Sequence, residues 1–305
     1  MRRNIFSYIL LVMVAGFFSS CEKTVNLNIP AYTPRLVIQG QSQTGDNIWL
    51  DISHSQSIKD HNNFYGTLQV PDATALLYTN GVLTDTFMYD ITTSTYKSHT
   101  PAETGKSYEV KVSASGYTTV SATSAALSLV PLSAPTFTRG VRKDQDGHLQ
   151  DMLSFSFADG AVAGDYYIIK IIPAQFLSQG GRSNFCVNTP DASVETVDDD
   201  LVDINTCVDN NGIYLRDELF NGQTKNLKVY VPADMTNPVW SGTDSVYYYI
   251  ELDHVTEQAF KYEKSYRTAI NKNGDPFSEP ANVYTNISNG YGIFGISGSF
   301  FLEIK

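Results

Sequence analysis

Residues 73–89, Ala-Thr-Ala-Leu-Leu-Tyr-Thr-Asn-Gly-Val-Leu-Thr-Asp-Thr-Phe-Met-Tyr, decide the fold class. Two runs rich in aromatic, aliphatic and threonine side chains meet at Asn80-Gly81. A two-residue hairpin turn that matches the twist of paired strands needs positive φ at both central positions, and Asn-Gly supplies it at least cost. The segment is therefore an antiparallel hairpin, Ala73 to Tyr78 returning along Val82 to Tyr89.

Working outward, the same signals recur at short spacing. Leu36-Val37-Ile38 is a short apolar run bounded by Pro34 and Gly40. Ile48, Leu50 and Ile52 fall on one face of a strand, with Trp49 and Asp51 on the other. Tyr108, Val110 and Val112 alternate, and Ser115-Gly116 turns the chain into Tyr117 to Ala122. Short strands broken by turns describe a small antiparallel sandwich of the Ig-like kind over 34–128.

Pro131 and Pro135 punctuate the chain before a second set of strands, which sets a larger β-rich domain at 129–305. The strands expected there are the Phe137 region, Leu153-Phe155-Phe157, Tyr166 to Ile172, Leu227 to Val231 and Val246 to Leu252. Tyr247-Tyr248-Tyr249-Ile250 reads as a central strand buried on both faces. One helix stands out. Val255, Ala259, Tyr262, Tyr266 and Ala269 recur at steps of four and three; Asp253 or Thr256 is placed to cap its start, and Gly274 and Pro276 to stop it. A glycine-rich segment, Asn289 to Gly295, then leads to a closing strand, Phe300 to Ile304. The expectation is an all-β chain of two sandwiches, the second carrying one helix.

The first twenty residues read as a secretory signal: Arg2 and Arg3, an apolar run from Ile5 to Phe18, then Ser19 and Ser20 before Cys21. Phe18-Ser19-Ser20-Cys21 looks like a lipobox, so 1–20 is expected to be removed and Cys21 to carry acyl chains, with 21–33 as a tether. Each buried CH₂ of such a chain contributes ~0.8 kcal/mol, and stable anchoring takes more than one chain. Losing Arg2 and Arg3 takes the net charge from −11 to −13. That surface repels phosphate backbones, which excludes nucleic acid as a partner. Beyond Cys21 the cysteines are Cys186 and Cys207. An even pair outside a reducing compartment is expected to form a disulfide, worth roughly 3 kcal/mol by loop-entropy arithmetic.

No catalytic constellation is legible, so neither an enzyme nor a cofactor is expected. The densest acidic cluster is Asp198, Asp199, Asp200 and Asp203, with Asp191, Glu195 and Asp209 nearby. Such a loop offers several oxygens to calcium, although charge runs more often line a solvated surface. Asp144-Gln145-Asp146-Gly147 lacks the flanking ligands of an EF-hand and reads as a hairpin turn. His54, His61, His99, His148 and His254 form no zinc-binding pattern. Asp51, Ser53 and His54 alternate faces on a strand and carry no weight as a triad. The glycines of 290–295 are better explained by close backbone packing than by phosphate binding. Trp49, Trp240, Tyr214, Tyr291 and Phe294 are candidates for an aromatic platform, and Asp244-Ser245-Val246 matches an Asp-Ser-apolar pattern for O-glycosylation.

Cys21-Glu22-Lys23, Arg35 to Gly40, Val70 to Ala73, Gly105 to Tyr108 and Gly116-Tyr117 resemble an uncharacterised lipoprotein family of Bacteroidota. Asp275 to Pro280 and Asn286 to Gly295 match it most sharply. Its members are domain-of-unknown-function lipoproteins, commonly encoded beside TonB-dependent transporters of the starch-utilisation type. The resemblance implies a surface-exposed, outer-membrane lipoprotein that binds a ligand or assists such a transporter. It carries over no catalytic residue and no ligand. An envelope hydrolase using carboxylates among Asp198 to Asp203, or a structural adhesion module, are the alternatives.

Overall fold

The alternating strands read around the Asn80-Gly81 turn build two facing sheets. The structure is a computed structural model, and it describes residues 32–57, 68–177, 185–195, 208–241, 244–272 and 281–305. The first eight strands are β1 (Leu36–Gln43), β2 (Asn47–His54), β3 (Thr74–Thr79), β4 (Val82–Thr86), β5 (Met88–Asp90), β6 (Thr95–Pro101), β7 (Ser107–Ser113) and β8 (Val120–Ala125). One sheet runs β4-β3-β7-β8, and β1, β2, β6 and β5 form the other wall. Ile48, Leu50 and Ile52 of β2 bury completely against Leu77, Tyr108, Val110 and Val112. Asn80 and Gly81 both take positive φ, 49° and 82°, as the hairpin turn requires.

The second lobe holds β9 (Leu132–Lys143), β10 (Leu149–Ala158), β11 (Tyr166–Pro173), β12 (Cys186–Val187), β13 (Val194–Glu195), β14 (Val208–Asp209), β15 (Ile213–Arg216), β16 (Thr224–Pro232), β17 (Val239–Ser241), β18 (Asp244–Val246) and β19 (Tyr248–Val255). The sheet β16-β10-β9 packs on one face of β15-β11-β19, and Phe155, Phe157, Tyr167, Ile169, Tyr248 and Ile250 fill the space between them. Asp144 to Gly147 closes the β9–β10 hairpin, the Asp144 carboxylate accepting from the Asp146 and His148 amides. On the opposite face lies the helix Glu257–Lys272, which buries Ala259, Phe260 and Tyr262, the first two of them against Ile168, Tyr214 and Val255. Thr256 caps this helix by accepting from the Ala259 amide at 3.3 Å. The other capping candidate, Asp253, lies within β19. Gly274 and Pro276 lie outside the described residues.

The last strand, β20 (Tyr291–Ile304), is far longer than the expected closing strand, because it includes the glycine-rich segment. Its first half pairs in parallel with β1, Val37 opposite Tyr291 through Gln43 opposite Ser297. Its second half pairs antiparallel with β19, His254 opposite Gly298 through Tyr248 opposite Ile304. β19 is therefore central, with β11 on its other side. The glycines make this path possible: a Cβ on Gly292 would stand 2.0 Å from the Ile38 carbonyl oxygen, and one on Gly298 would stand 2.1 Å from that of Ser128. Through β20 a single nine-stranded sheet crosses both lobes, and Pro34–Lys305 is one compact unit. Along the chain, Ala126 belongs to the first core and Val130 to the second. Ile287, Phe294 and Ile296 nonetheless complete the first core. The fold is an all-β sandwich architecture with one long helix.

Candidate functional site

A lysine inside an apolar strand must find counter-charges, because an isolated buried ammonium is far too costly. β11 reads Tyr166-Tyr-Ile-Ile-Lys170-Ile-Ile, so Lys170 shares the helix-facing side with Ile168. The register sets Lys170 opposite Glu251 and Ile168 opposite Asp253. The Lys170 Nζ lies 2.7 Å from Asp253 Oδ2 and 3.3 Å from Glu251 Oε1. Across the next strand the Ser299 hydroxyl donates to Asp253 Oδ1, and Ser297 and Ser299 are linked at 3.0 Å.

Two carboxylates and one ammonium leave the group one negative charge in excess. Burial pushes the Glu251 carboxyl above its ordinary range and the Asp253 charge adds to that, with Lys170 only partly opposing. Burial acts to lower the Lys170 ammonium, but Asp253 and Glu251 outweigh it and hold the lysine charged.

These three side chains floor a cavity of about 230 Å³ beneath the long helix. β1 supplies Gln41 and Gln43 to the rim, and the helix supplies Glu263 and Arg267. Gln41 donates its amide to Glu263 at 2.6 Å, and Gln39 donates to the Tyr262 hydroxyl. Arg267 is held by Asp209 at 3.1 Å, and Lys264 pairs with Glu195 at 2.7 Å. The helix is thus fastened at both ends of the cavity, to β1 on one side and to β13 and β14 on the other. The helix packs closely on β20, with Ala259 facing Gly295.

The acids read from the sequence divide differently. Glu195 and Asp209 hold the helix, as above. Asp191 takes Lys225 at 2.6 Å and the Ser193 hydroxyl. Burial works to raise its carboxyl, but these donors prevail and hold it below the ordinary range. Asp198, Asp199, Asp200 and Asp203 lie outside the described residues, as do Cys21, Cys207 and His61. Among the other histidines, His54 stacks on Tyr117, and His99 and His148 meet Asp85 and Asp144. Asp51 accepts from Gln69 rather than facing His54. The aromatic candidates form no common platform: Tyr214 and Phe294 are core, while Trp240 stands exposed on the β17–β18 hairpin opposite Ser245.

The sequence reading missed a second acidic knot. Asp159, Asp165 and Asp217 bring carboxylate oxygens within 4.8 Å of one another. Donors of the fold already face them: Tyr167 to Asp159, the Gly222 amide to Asp159 and the Gly164 amide to Asp217. His254 bridges Asp165 and the Ser128 carbonyl. Oxygens of this kind suit a hard cation, and here they tie the β10–β11 loop to the turn after β15. The cavity itself had a signal, one lysine in an apolar strand and two acids in another, but only the strand register joins them.

No curated protein matches the chain. A crystal structure of a point mutant of Salmonella alpha-2-macroglobulin is similar at 10% identity and a TM-score of 0.24. The likeness covers 93% of this chain and only 15% of that one, and it is too loose to carry any argument. The sequence model of one family, described as a domain of unknown function (DUF4249), matches residues 22–300. With that match running through both lobes and the cavity between strands and helix, the chain belongs to the DUF4249 family.

Proposed function

We propose that this protein is a lipid-anchored binding accessory of a bacterial outer membrane. In this reading it works beside a TonB-dependent transporter and uses the cavity beneath the long helix as its ligand site. The observation that carries the ligand-site part of the reading is the cavity: a concave space of about 230 Å³ where several charged groups converge from strands and one helix. The leader-like residues 1–20 and Cys21 support the address, and the family match begins at residue 22, beside the expected lipid site. The Bacteroidota origin and the transporter partner rest on the resemblance of Cys21-Glu22-Lys23 and of the 275–295 region.

A disulfide between Cys186 and Cys207 belongs to the same reading. β12 and β14 pair with Val187 opposite Val208, each the residue that follows one of the two cysteines. Such a bond restrains a segment that feeds Asp209 to Arg267 at the cavity rim. Peptide mapping without reduction should recover the two cysteines linked.

Affinity capture from detergent-solubilised outer membrane tests the function. A TonB-dependent transporter recovered in stoichiometric amount supports it, and Cys21→Ala should leave the membrane fraction. Capture of no transporter, with Cys21→Ala still membrane-bound and still labelled by palmitate, overturns it.

A further inference from the structure

The charges around the cavity do not balance. Its lining contains three carboxylates, Glu251, Asp253 and Glu263, and two cations, Lys170 and Arg267. Arg267 is engaged by a fourth carboxylate, Asp209, outside the lining. Lys170 sits closer to Asp253 than to Glu251. The partner given to Glu263 within the cavity is a neutral amide, that of Gln41. Two carboxylates, Glu251 on the floor and Glu263 on the helix, therefore face one small space without a full positive charge of their own. Around them Gln43, Asn211 and Ser297 add neutral groups that both donate and accept.

A site with this excess of acceptors rejects anions, since like charges placed in a partly desolvated site cost several kcal/mol. It also gains little from a neutral polyol, whose hydroxyls leave the charge excess untouched. What it lacks is a compact cation with several hydrogen-bond donors. A primary ammonium provides three donors and one charge, and charge-assisted bonds to carboxylates are about twice as strong as neutral ones. Resting on the binding reading above, we infer that the cavity beneath the helix is a recognition site for a small primary-ammonium ligand, held between Glu251 and Glu263. Lys170 and Asp253 form the fixed base of the site, and Arg267 with Asp209 closes one end.

Titration calorimetry on the detergent-solubilised full chain tests this with 1,4-diaminobutane, glucose, glycine and calcium chloride as probes. The diamine should bind, and each of Glu251→Gln and Glu263→Gln should weaken it about tenfold or more, the size of one lost charge-assisted bond. Glu263→Gln is the safer variant, because the half-buried side chain sits on the helix surface, and unchanged melting of each variant establishes that it is folded. Binding of glucose or glycine with the diamine silent overturns the ammonium assignment and leaves the binding reading standing. Calcium binding that both substitutions abolish, with the diamine silent, overturns it in favour of a metal. Diamine binding that neither substitution weakens places the ligand elsewhere and also overturns it. If no probe binds and membrane capture recovers no transporter, both readings fail together.

Discussion

Among the described residues the first lobe hides only neutral hydroxyls as buried polar groups, Ser42, Ser98 and Ser124, whereas the second buries Asp151, Asp217, Glu251, Asp253 and His254. Both lobes pack two sheets over an apolar core of similar extent. For Glu251 and Asp253 the difference lies on the outer face, whereas Asp151 bonds Thr236 inside the sandwich and His254 stacks on the core residue Tyr167. In the second lobe the strands β11 and β19 are covered by the sandwich on one side and by the helix on the other, so polar residues on their second face are taken out of water as well. Charges persist there only in pairs and networks, such as Lys170 with Glu251 and Asp253. The third layer thus takes the Lys170, Glu251 and Asp253 group out of water.

The sharpest way to break this contrast is at the strand the lobes share. Gly292→Val drives a side chain into the Ile38 carbonyl at a φ of +100°. It should cost on the order of 3 kcal/mol or more and lower the cooperative melting of both lobes together. Gly45→Ala has a similar φ of +99° but open space around it, and should cost only about 1 kcal/mol. Separate melting of two lobes in the Gly292→Val variant would show that β20 does not couple them.

Lys170→Met sharpens the comparison within the second lobe. It leaves two buried carboxylates facing each other without their cation and should destabilise the protein by about 2–3 kcal/mol at neutral pH, somewhat below the cost of breaking a fully buried pair. The matched change in the first lobe, Lys97→Met, removes an exposed pair with Asp90 and should leave the denaturation midpoint unmoved. Thr256→Ala, which strips the helix of its N-cap, should cost about 1 kcal/mol and loosen the cavity roof first, visible as faster amide exchange in Glu257 to Lys261.

The smallest effect is a change of slope. Glu251 binds its proton more tightly in the folded protein than in the unfolded chain. It therefore stabilises the fold below its ordinary pKa of 4.5, and that contribution disappears as pH rises through the raised value. Glu251→Gln should remove this component, so that stability falls less as pH rises above 4.5 than in the parent protein. Asp191, held below its ordinary 3.8, acts in the opposite sense and stabilises above that value. An unchanged pH profile in Glu251→Gln would place the proton elsewhere in the cluster.

Much of this architecture is written locally. The Asn80-Gly81 turn, the alternation of Ile48, Leu50 and Ile52, and the helix with Ala259 and Tyr262 on its buried side each depend on residues close in sequence and appear where the pattern points, although Val255 of the expected stripe lies in β19 and Tyr266 is exposed. The length of β20 was not legible, because glycine weakens a strand signal. The reason for those glycines, contact with the Ile38 and Ser128 carbonyls, exists only after distant segments meet. The cavity is hidden for the same cause. Lys170 and Glu251 are far apart in sequence, and nothing local fixes their register. The acids at 198–203 drew attention through density alone, while the acids that shape the cavity are scattered.

The parallel pairing of β1 with β20 also imposes an order in time. Val37 cannot meet Tyr291 until most of the chain has been made. Until β20 docks, β1 keeps one unpaired edge. An open edge with alternating apolar residues will pair with whatever strand it encounters. Closing so long a loop is also slow, since its entropy is lost before any contact rewards it. The first lobe is thus the first to be synthesised and among the last to be finished, and its folding is bound to the arrival of the final strand.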